Sequence, residues 1–249
     1  MVMTMEKKTL GILGGLGPAA SVRFYAMVTE HTLAARDQDH LNIVLLSGAG
    51  IPDRSDFILG KSDLSPLPAM REAVSRLAGA GAELIAIPCN TAHYFFDELS
   101  RTSPVPVLNI VRETAALAAH AGIRTLGIMA TTGTVVSGAY QHACEEVGIG
   151  YRLPCENSQR ALMDLIYHTI KTAKTPDTTV FFRVAEELAS SGCDAIVLGC
   201  TELSLIPTKG APYRFLDSLS VLAAKAILEC GGTPCGFPEL YTYIEKAPV

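Results

Sequence analysis

The sequence predicts an α/β protein of two similar domains, each a parallel sheet flanked by helices, related by an internal pseudo-two-fold duplication with a cleft between them. Three observations carry this. The same landmarks recur in the same order about 108 to 116 residues apart, which marks a duplication. Strand-like apolar runs alternate with helical periods, the pattern of parallel sheets with right-handed crossovers. The 249 residues are 49% hydrophobic, 18% charged and only 6% aromatic, which excludes a disordered chain and suits α/β layers better than a β-sandwich.

The elements follow in order. Thr9-Leu10-Gly11-Ile12-Leu13 reads as a strand, answered by Thr125-Leu126-Gly127-Ile128-Met129; each leads through small residues into a helix, and Tyr25 pairs with Tyr140. Asn42 to Ser47 is a continuous apolar run, the mark of a strand buried on both faces. Pro68 to Ala80 has helical spacing, with Met70, Ala73, Val74 and Leu77 on one side. Gly81 to Cys89 is answered by Gly192 to Cys200: an acidic residue, an apolar strand, then Cys. Val107-Leu108-Asn109 and Arg214-Phe215-Leu216-Asp217 each enter an Ala/Leu-rich helix, and 111–121 and 182–190 also have helical spacing. Sites in open α/β sheets lie beyond the carboxyl ends of strands. Cys89 and Cys200 occupy matched ends, so facing halves would set both thiols on one cleft.

Composition also excludes partners. A net charge of −5 with no basic run argues against nucleic acid. No run of 18 uncharged apolar residues implies a membrane span. Lys7-Lys8 and the apolar residues after it resemble a leader, but Gly14, Gly15, Gly17 and Pro18 break the run and its pattern recurs inside the chain, so it is read as a strand. Seven cysteines without metal-type spacing suggest neither a disulfide framework nor a metal site, and point to a reducing cytoplasm. Tyr25, Tyr140 and the five cysteines other than Cys89 and Cys200 are read as core.

Gly14-Gly15-Leu16-Gly17-Pro18 invites a dinucleotide reading. That reading lacks its acid: the next strand ends Leu46-Ser47-Gly48-Ala49-Gly50, and Pro18 stands where a third glycine belongs. No Gly-Lys-Ser/Thr follows, so no nucleotide cofactor is expected. The helix N-terminus still offers N–H groups, Gly15 and Gly17 among them, that can hold a carboxylate.

Two equivalent thiols on opposite faces of a bound molecule suit removal of a proton from one face and its delivery to the other. A metal would need more ligands, and a lone nucleophile would need a neighbouring His; His93 is near Cys89, but Cys200 has none. Thiol ionisation at a pKa of roughly 8.5 lies close enough to neutrality for acid/base work. Charge developing on a carboxylate needs donors, and Asn90, Thr91, Thr201, Glu202, Thr131, Thr132 and Thr134 supply them. Glu202 either tunes Cys200 or charges a helix start; His93 either orients Cys89 or caps a helix.

Together, Gly14-Gly15-Leu16-Gly17-Pro18, Pro88-Cys89-Asn90-Thr91-Ala92-His93 and Gly199-Cys200-Thr201-Glu202 resemble the signatures of the aspartate/glutamate racemase superfamily that works without pyridoxal phosphate. The match runs from about Leu10 to Leu228. The resemblance implies a two-base racemase without cofactor or metal, with Cys89 and Cys200 as its bases, and commonly a homodimer. It also implies that the halves exchange segments: one domain from residues 1–104 plus about 215–249, the other from about 105–214. Pro52-Asp53-Arg54-Ser55 and Tyr167-x₃-Lys171 resemble segments of aspartate racemases, so Arg54 and Lys171 would grip the side-chain carboxylate of a dicarboxylic amino acid. Lys174 lies close enough to be mistaken for Lys171. Glutamate racemases carry an Asp-Ser pair at the first loop that this chain lacks, which favours aspartate. Alternatives within the superfamily are glutamate or broad-specificity racemisation, hydantoin racemisation and maleate isomerisation. Outside it stand a two-lobed binding protein and a thiol redox sensor.

Overall fold

The computed structural model describes residues 7–172 and 177–238; Lys174 lies outside them. The first half runs β1 (Leu10–Gly14), α1 (Pro18–Glu30), β2 (Ile43–Ser47), α2 (Arg54–Ile58), α3 (Leu67–Gly79), β3 (Leu84–Ala86), a 3₁₀ turn at Thr91–Phe95, α4 (Phe96–Thr102) and α5 (Ile110–His120). The second runs β4 (Thr125–Met129), α6 (Thr132–Val136), α7 (Ala139–Glu146), β5 (Gly150–Arg152), α8 (Glu156–Asp164) passing into a π turn at Leu165–Ile170, α9 (Thr178–Ser190), β6 (Ala195–Leu198), β7 (Phe215–Asp217) and α10 (Ser218–Glu229).

Both sheets are parallel. The first has order β2-β1-β3 and the second β5-β4-β6-β7. A bridge from Ile85 to Val107 gives the first sheet the counterpart of β7. Registers repeat as well: Leu10 pairs with Ile43 and Leu84 where Leu126 pairs with Tyr151 and Ala195. Each closing strand ends in a helix cap. Asn109 accepts from the N–H groups of Val111 and Arg112, and Asp217 from that of Leu219, satisfying donors that a helix start leaves unpaired.

The helices after those caps cross between halves. α10 packs on α1 and β3 of the first half, and α5 lies against α7 of the second as well as α10. The strands before them stay with their own sheets. One apolar cluster runs through this junction, holding Phe24, Ile110, Tyr140 and Leu222 together. A second cluster fills the first half around Met70 and Leu77, and a third fills the second half around Phe181 and Leu188.

Three expectations are corrected. β2 is the outer strand of its sheet and is only half-buried, with Leu45 exposed, because an edge strand has a neighbour on one side only. Tyr25 is exposed, and the fully buried counterpart of Tyr140 is Phe24, at the offset of 116 set by β1 and β4. Of the five cysteines read as core, Cys144 and Cys230 are buried, but Cys155 is exposed and Cys193 and Cys235 are only partly covered.

Candidate active site

β3 and β6 deliver Cys89 and Cys200 to one narrow pocket between the halves. The thiols are almost equally covered, at 6% and 5% exposure. All seven cysteines are free.

The first half contributes the start of α2. Asp53 caps that helix by accepting from the Asp56 N–H. The Tyr167 hydroxyl crosses the cleft to donate to both Asp53 oxygens at 3.2 Å. Arg54 is buried and donates to the carbonyls of Leu16 at 2.6 Å, Pro52 at 3.0 Å and Ile51 at 3.3 Å. A guanidinium has five N–H donors, so two remain; the Nε donor is buried without a partner. Burial works against the Arg54 charge, but Cys89 and Asp53 outweigh it and strengthen the cation. Ser55, which sequence reasoning passed over, also lines the cavity with its Oγ unbonded. Its only signal was adjacency to Arg54. Gly133 of α6 abuts it so closely that a Cβ there would lie 2.7 Å from Ser55 Oγ.

The second half contributes the π turn. There the Lys171 N–H bonds the Ile166 carbonyl at 3.0 Å, the wider i→i+5 spacing often found at functional sites. Lys171 Nζ stands 4.1 Å from the centre of the Tyr167 ring and 4.0 Å from Glu202 Oε1. Burial alone would lower the Lys171 pKa; Glu202, Tyr167 and the two thiols outweigh it and raise it to about 12. Tyr167 is itself pushed up to about 12, chiefly by burial. The Cys200 thiol donates to Glu202 Oε2 at 3.0 Å. Burial, then the Glu202 charge, hold Cys200 well above the ordinary thiol range against the pull of Lys171.

The polar residues beside the cysteines mostly join the halves. Thr201 Oγ1 donates to the Pro88 carbonyl at 3.1 Å. The hydroxyls of Thr91, Thr131 and Thr134 form a buried triangle with sides of 2.9, 2.9 and 3.0 Å. Asn90 lines the cavity, but its amide is engaged: Oδ1 accepts from Tyr140 at 2.7 Å and Nδ2 donates to Ser218 at 3.0 Å. Tyr140 thus acts as a support for the site as well as filling the core.

Three sequence candidates sit differently from expectation. Thr132 is turned toward α8, its N–H on Met163 Sδ and its hydroxyl accepting from Gln159. Gly15 and Gly17 line the outer mouth, not the inner cavity. The Gly15 N–H is taken by Ser21 Oγ, leaving it no donor for a carboxylate. Gly17 lies against Glu202. His93 bonds backbone, not a thiol: Nδ1 lies 2.8 Å from the Cys89 carbonyl, and Nε2 lies 3.2 Å from the Leu108 carbonyl and 3.3 Å from the Ile110 nitrogen. Burial lowers the His93 pKa, against the opposing pull of the Cys89 and Leu108 carbonyls.

Among the described residues no group of His, Cys, Asp or Glu could hold a metal ion, and no helix is long and apolar enough to cross a membrane. The site presents two thiols, two cations and a buried carboxylate around one narrow pocket, a set able to bind an anion and move protons.

Comparison with known proteins agrees with this geometry. The model of the family described as Asp/Glu/Hydantoin racemase matches residues 13–226. The structure of the Picrophilus torridus aspartate racemase superposes with a TM-score of 0.81 at 30% identity, over 96% of this chain and 99% of that one. The broad specificity amino-acid racemase RacX of Bacillus subtilis is 26% identical over 88% of this chain and 96% of its own length. A glutamate racemase from Francisella tularensis, solved with D-glutamate, shares the fold at 16% identity, with a TM-score of 0.59 over 97% and 93% of the two chains. Matching strand ends, the cleft they share and the family model across most of the sequence converge: this chain is an enzyme of the Asp/Glu/hydantoin racemase family.

Proposed function

We propose that the enzyme interconverts L- and D-aspartate without a cofactor, using Cys89 and Cys200 as its two acid/base groups. The observation that carries this reading is the pair of thiols, from matched strand ends, lining one small cavity with Arg54 and Lys171. One thiolate removes the α-proton and the opposite thiol returns a proton to the other face. The negative charge developing on the α-carboxylate needs donors already in place. The free Arg54 Nε–H and the Lys171 ammonium suit the second carboxylate of a dicarboxylic substrate. The likeness to the Picrophilus enzyme supports aspartate. A broader substrate range is the second reading, favoured by the Bacillus relative. Two domains that exchange their last helices, a homodimeric assembly and a reducing cytoplasm belong to the same proposal.

The test is incubation with L-aspartate in D₂O without pyridoxal phosphate or metal, following the α-proton by NMR and the enantiomers by chiral chromatography. L-Glutamate, L-alanine and maleate run alongside. Exchange with appearance of D-aspartate, lost in Cys89→Ala and in Cys200→Ala, is expected. Turnover of maleate to fumarate with no α-proton exchange overturns the racemase.

A further inference from the structure

The two thiols sit on matched strand ends, yet their surroundings are not matched. Cys200 donates its proton to Glu202 Oε2 at 3.0 Å, and Thr201 Oγ1 lies 3.5 Å from the same oxygen. Glu202 is buried, and Lys171 balances its charge from 4.0 Å. Gly17 bounds its other side, where even a Cβ would lie 2.3 Å from Oε1. The carboxylate is therefore fixed against Cys200. Cys89 has the opposite neighbour: it shares the pocket wall with the Arg54 guanidinium, whose cation it strengthens.

We infer that the pair is unequal at rest: Glu202 holds the proton on Cys200, which starts the reaction as the acid, and the role of base falls to Cys89. The inference rests on the two-base reading above. Glu202 acts here as a positioning residue, through Cys200. The charged and titratable groups facing Cys200 are Glu202 on its own segment, Tyr167 and Lys171 from the π turn, and Arg54 and Cys89 from the first half. A thiolate at Cys200 would stand beside a carboxylate in a poorly hydrated space, whereas one at Cys89 would face a cation.

The proton balance follows. The Cys89 thiolate takes the α-proton as the Cα–H bond breaks, and the electron pair passes into the substrate carboxylate. The Cys200 thiol delivers its proton to the opposite face. The product leaves with Cys89 as thiol and Cys200 as thiolate beside Glu202, the less favourable form, which the opposite enantiomer requires. Racemisation has an equilibrium constant of one, so kcat/KM is equal for the two enantiomers. The inequality must appear as kcat and KM scaled by the same factor.

Alkylation tests the inference without reading racemisation, so it can fail separately from the proposed function. The whole protein is treated with iodoacetamide over a range of pH, and modification of each cysteine is followed by peptide mass spectrometry. The thiolate is the reactive species, and the two thiols are equally covered, so access does not set the order. Cys89 is expected to react about tenfold faster than Cys200 at neutral pH. In Glu202→Gln, which keeps an acceptor but removes the charge, the Cys200 rate is expected to rise about tenfold, with its pH midpoint moving down and that of Cys89 unmoved. Equal wild-type rates would overturn the inference, as would a Cys200 profile unchanged in the variant. The wild-type comparison needs no variant to fold.

Discussion

Gly17→Ala isolates the contact between the glycine loop and Glu202. The Gly17 backbone is extended, at φ −121° and ψ 138°, a region open to any residue, so alanine brings no backbone strain. Its Cβ would stand 2.3 Å from Glu202 Oε1, where ordinary contact begins at 3.4 Å. The carboxylate must therefore retreat by about 1 Å, from a position fixed by Cys200 at 3.0 Å and Lys171 at 4.0 Å. A misplacement of about 1 Å at a catalytic group can cost on the order of 10²-fold in rate, while forcing a methyl into a filled space costs typically about 1–3 kcal/mol of stability. The expected outcome is a kcat for aspartate about 100-fold lower, with a urea midpoint only modestly reduced. The assay is steady-state racemisation by circular dichroism, with denaturation on the same preparation. A variant retaining a third or more of wild-type kcat would refute the argument that this carboxylate is pinned. Gly15→Ala is the control for strain: Gly15 has φ +87° and a Cβ there would lie 2.5 Å from Gly48 N, so it should lose stability first.

Tyr140→Phe removes the donor to Asn90 Oδ1 in a fully buried place; an unsatisfied buried acceptor costs about 1–3 kcal/mol, measurable by urea unfolding, and a change well below that range would mean Asn90 finds another donor. Arg54→Lys cannot reproduce three carbonyl bonds plus a free donor, so KM for aspartate should rise at least about tenfold while KM for any monocarboxylic substrate moves less; parallel rises would take Arg54 away from the side-chain carboxylate. His93 is neutral in the fold with its pKa lowered by burial from 6.5. Its contribution to stability is complete above that value and lost as pH falls through the lowered one. Unfolding midpoints should therefore drop on acidification below about pH 6.5, and less steeply in His93→Gln. An unchanged slope would remove His93 as the cause.

The duplication was legible because strands buried between helices repeat their apolar pattern and because cysteine, asparagine and aspartate stand at matched ends. The registers of β1, β3 and Val107 against β4, β6 and β7 repeat at the offsets seen in the sequence. What was not legible is side-chain direction. Tyr25 and Phe24 are neighbours, and only helix rotation decides which one faces the core. Thr131 and Thr132 differ in the same way, since the first caps α6 and the second faces α8. Asn90 and Thr91 were chosen as donors by type, yet their partners Tyr140, Ser218, Thr131 and Thr134 lie 40 to 128 residues away. Glycines presented the opposite difficulty: the loop suggested an anion cradle, whereas Gly15 is closed by Ser21 and Gly17 makes room for a carboxylate of the protein itself.

Duplication and divergence do different work at this site. Repetition of the strand ends brings two thiols to one cavity, and short cross-links then fix the loops that carry them: Thr201 to the Pro88 carbonyl, Thr91 to Thr131 and Thr134, Tyr140 to Asn90. The last of these requires Gly199 before Cys200, because a Cβ there would lie 2.9 Å from Tyr140 Cε2. Divergence sets the charge. Glu202 follows one cysteine by two residues, and the uncharged Thr91 stands at the matching place after the other, with Arg54 facing that thiol from a separate loop. A symmetric frame thus supports an asymmetric pair, which is what a proton transfer from one face to the other needs at its start: one group that lacks the proton and one that holds it.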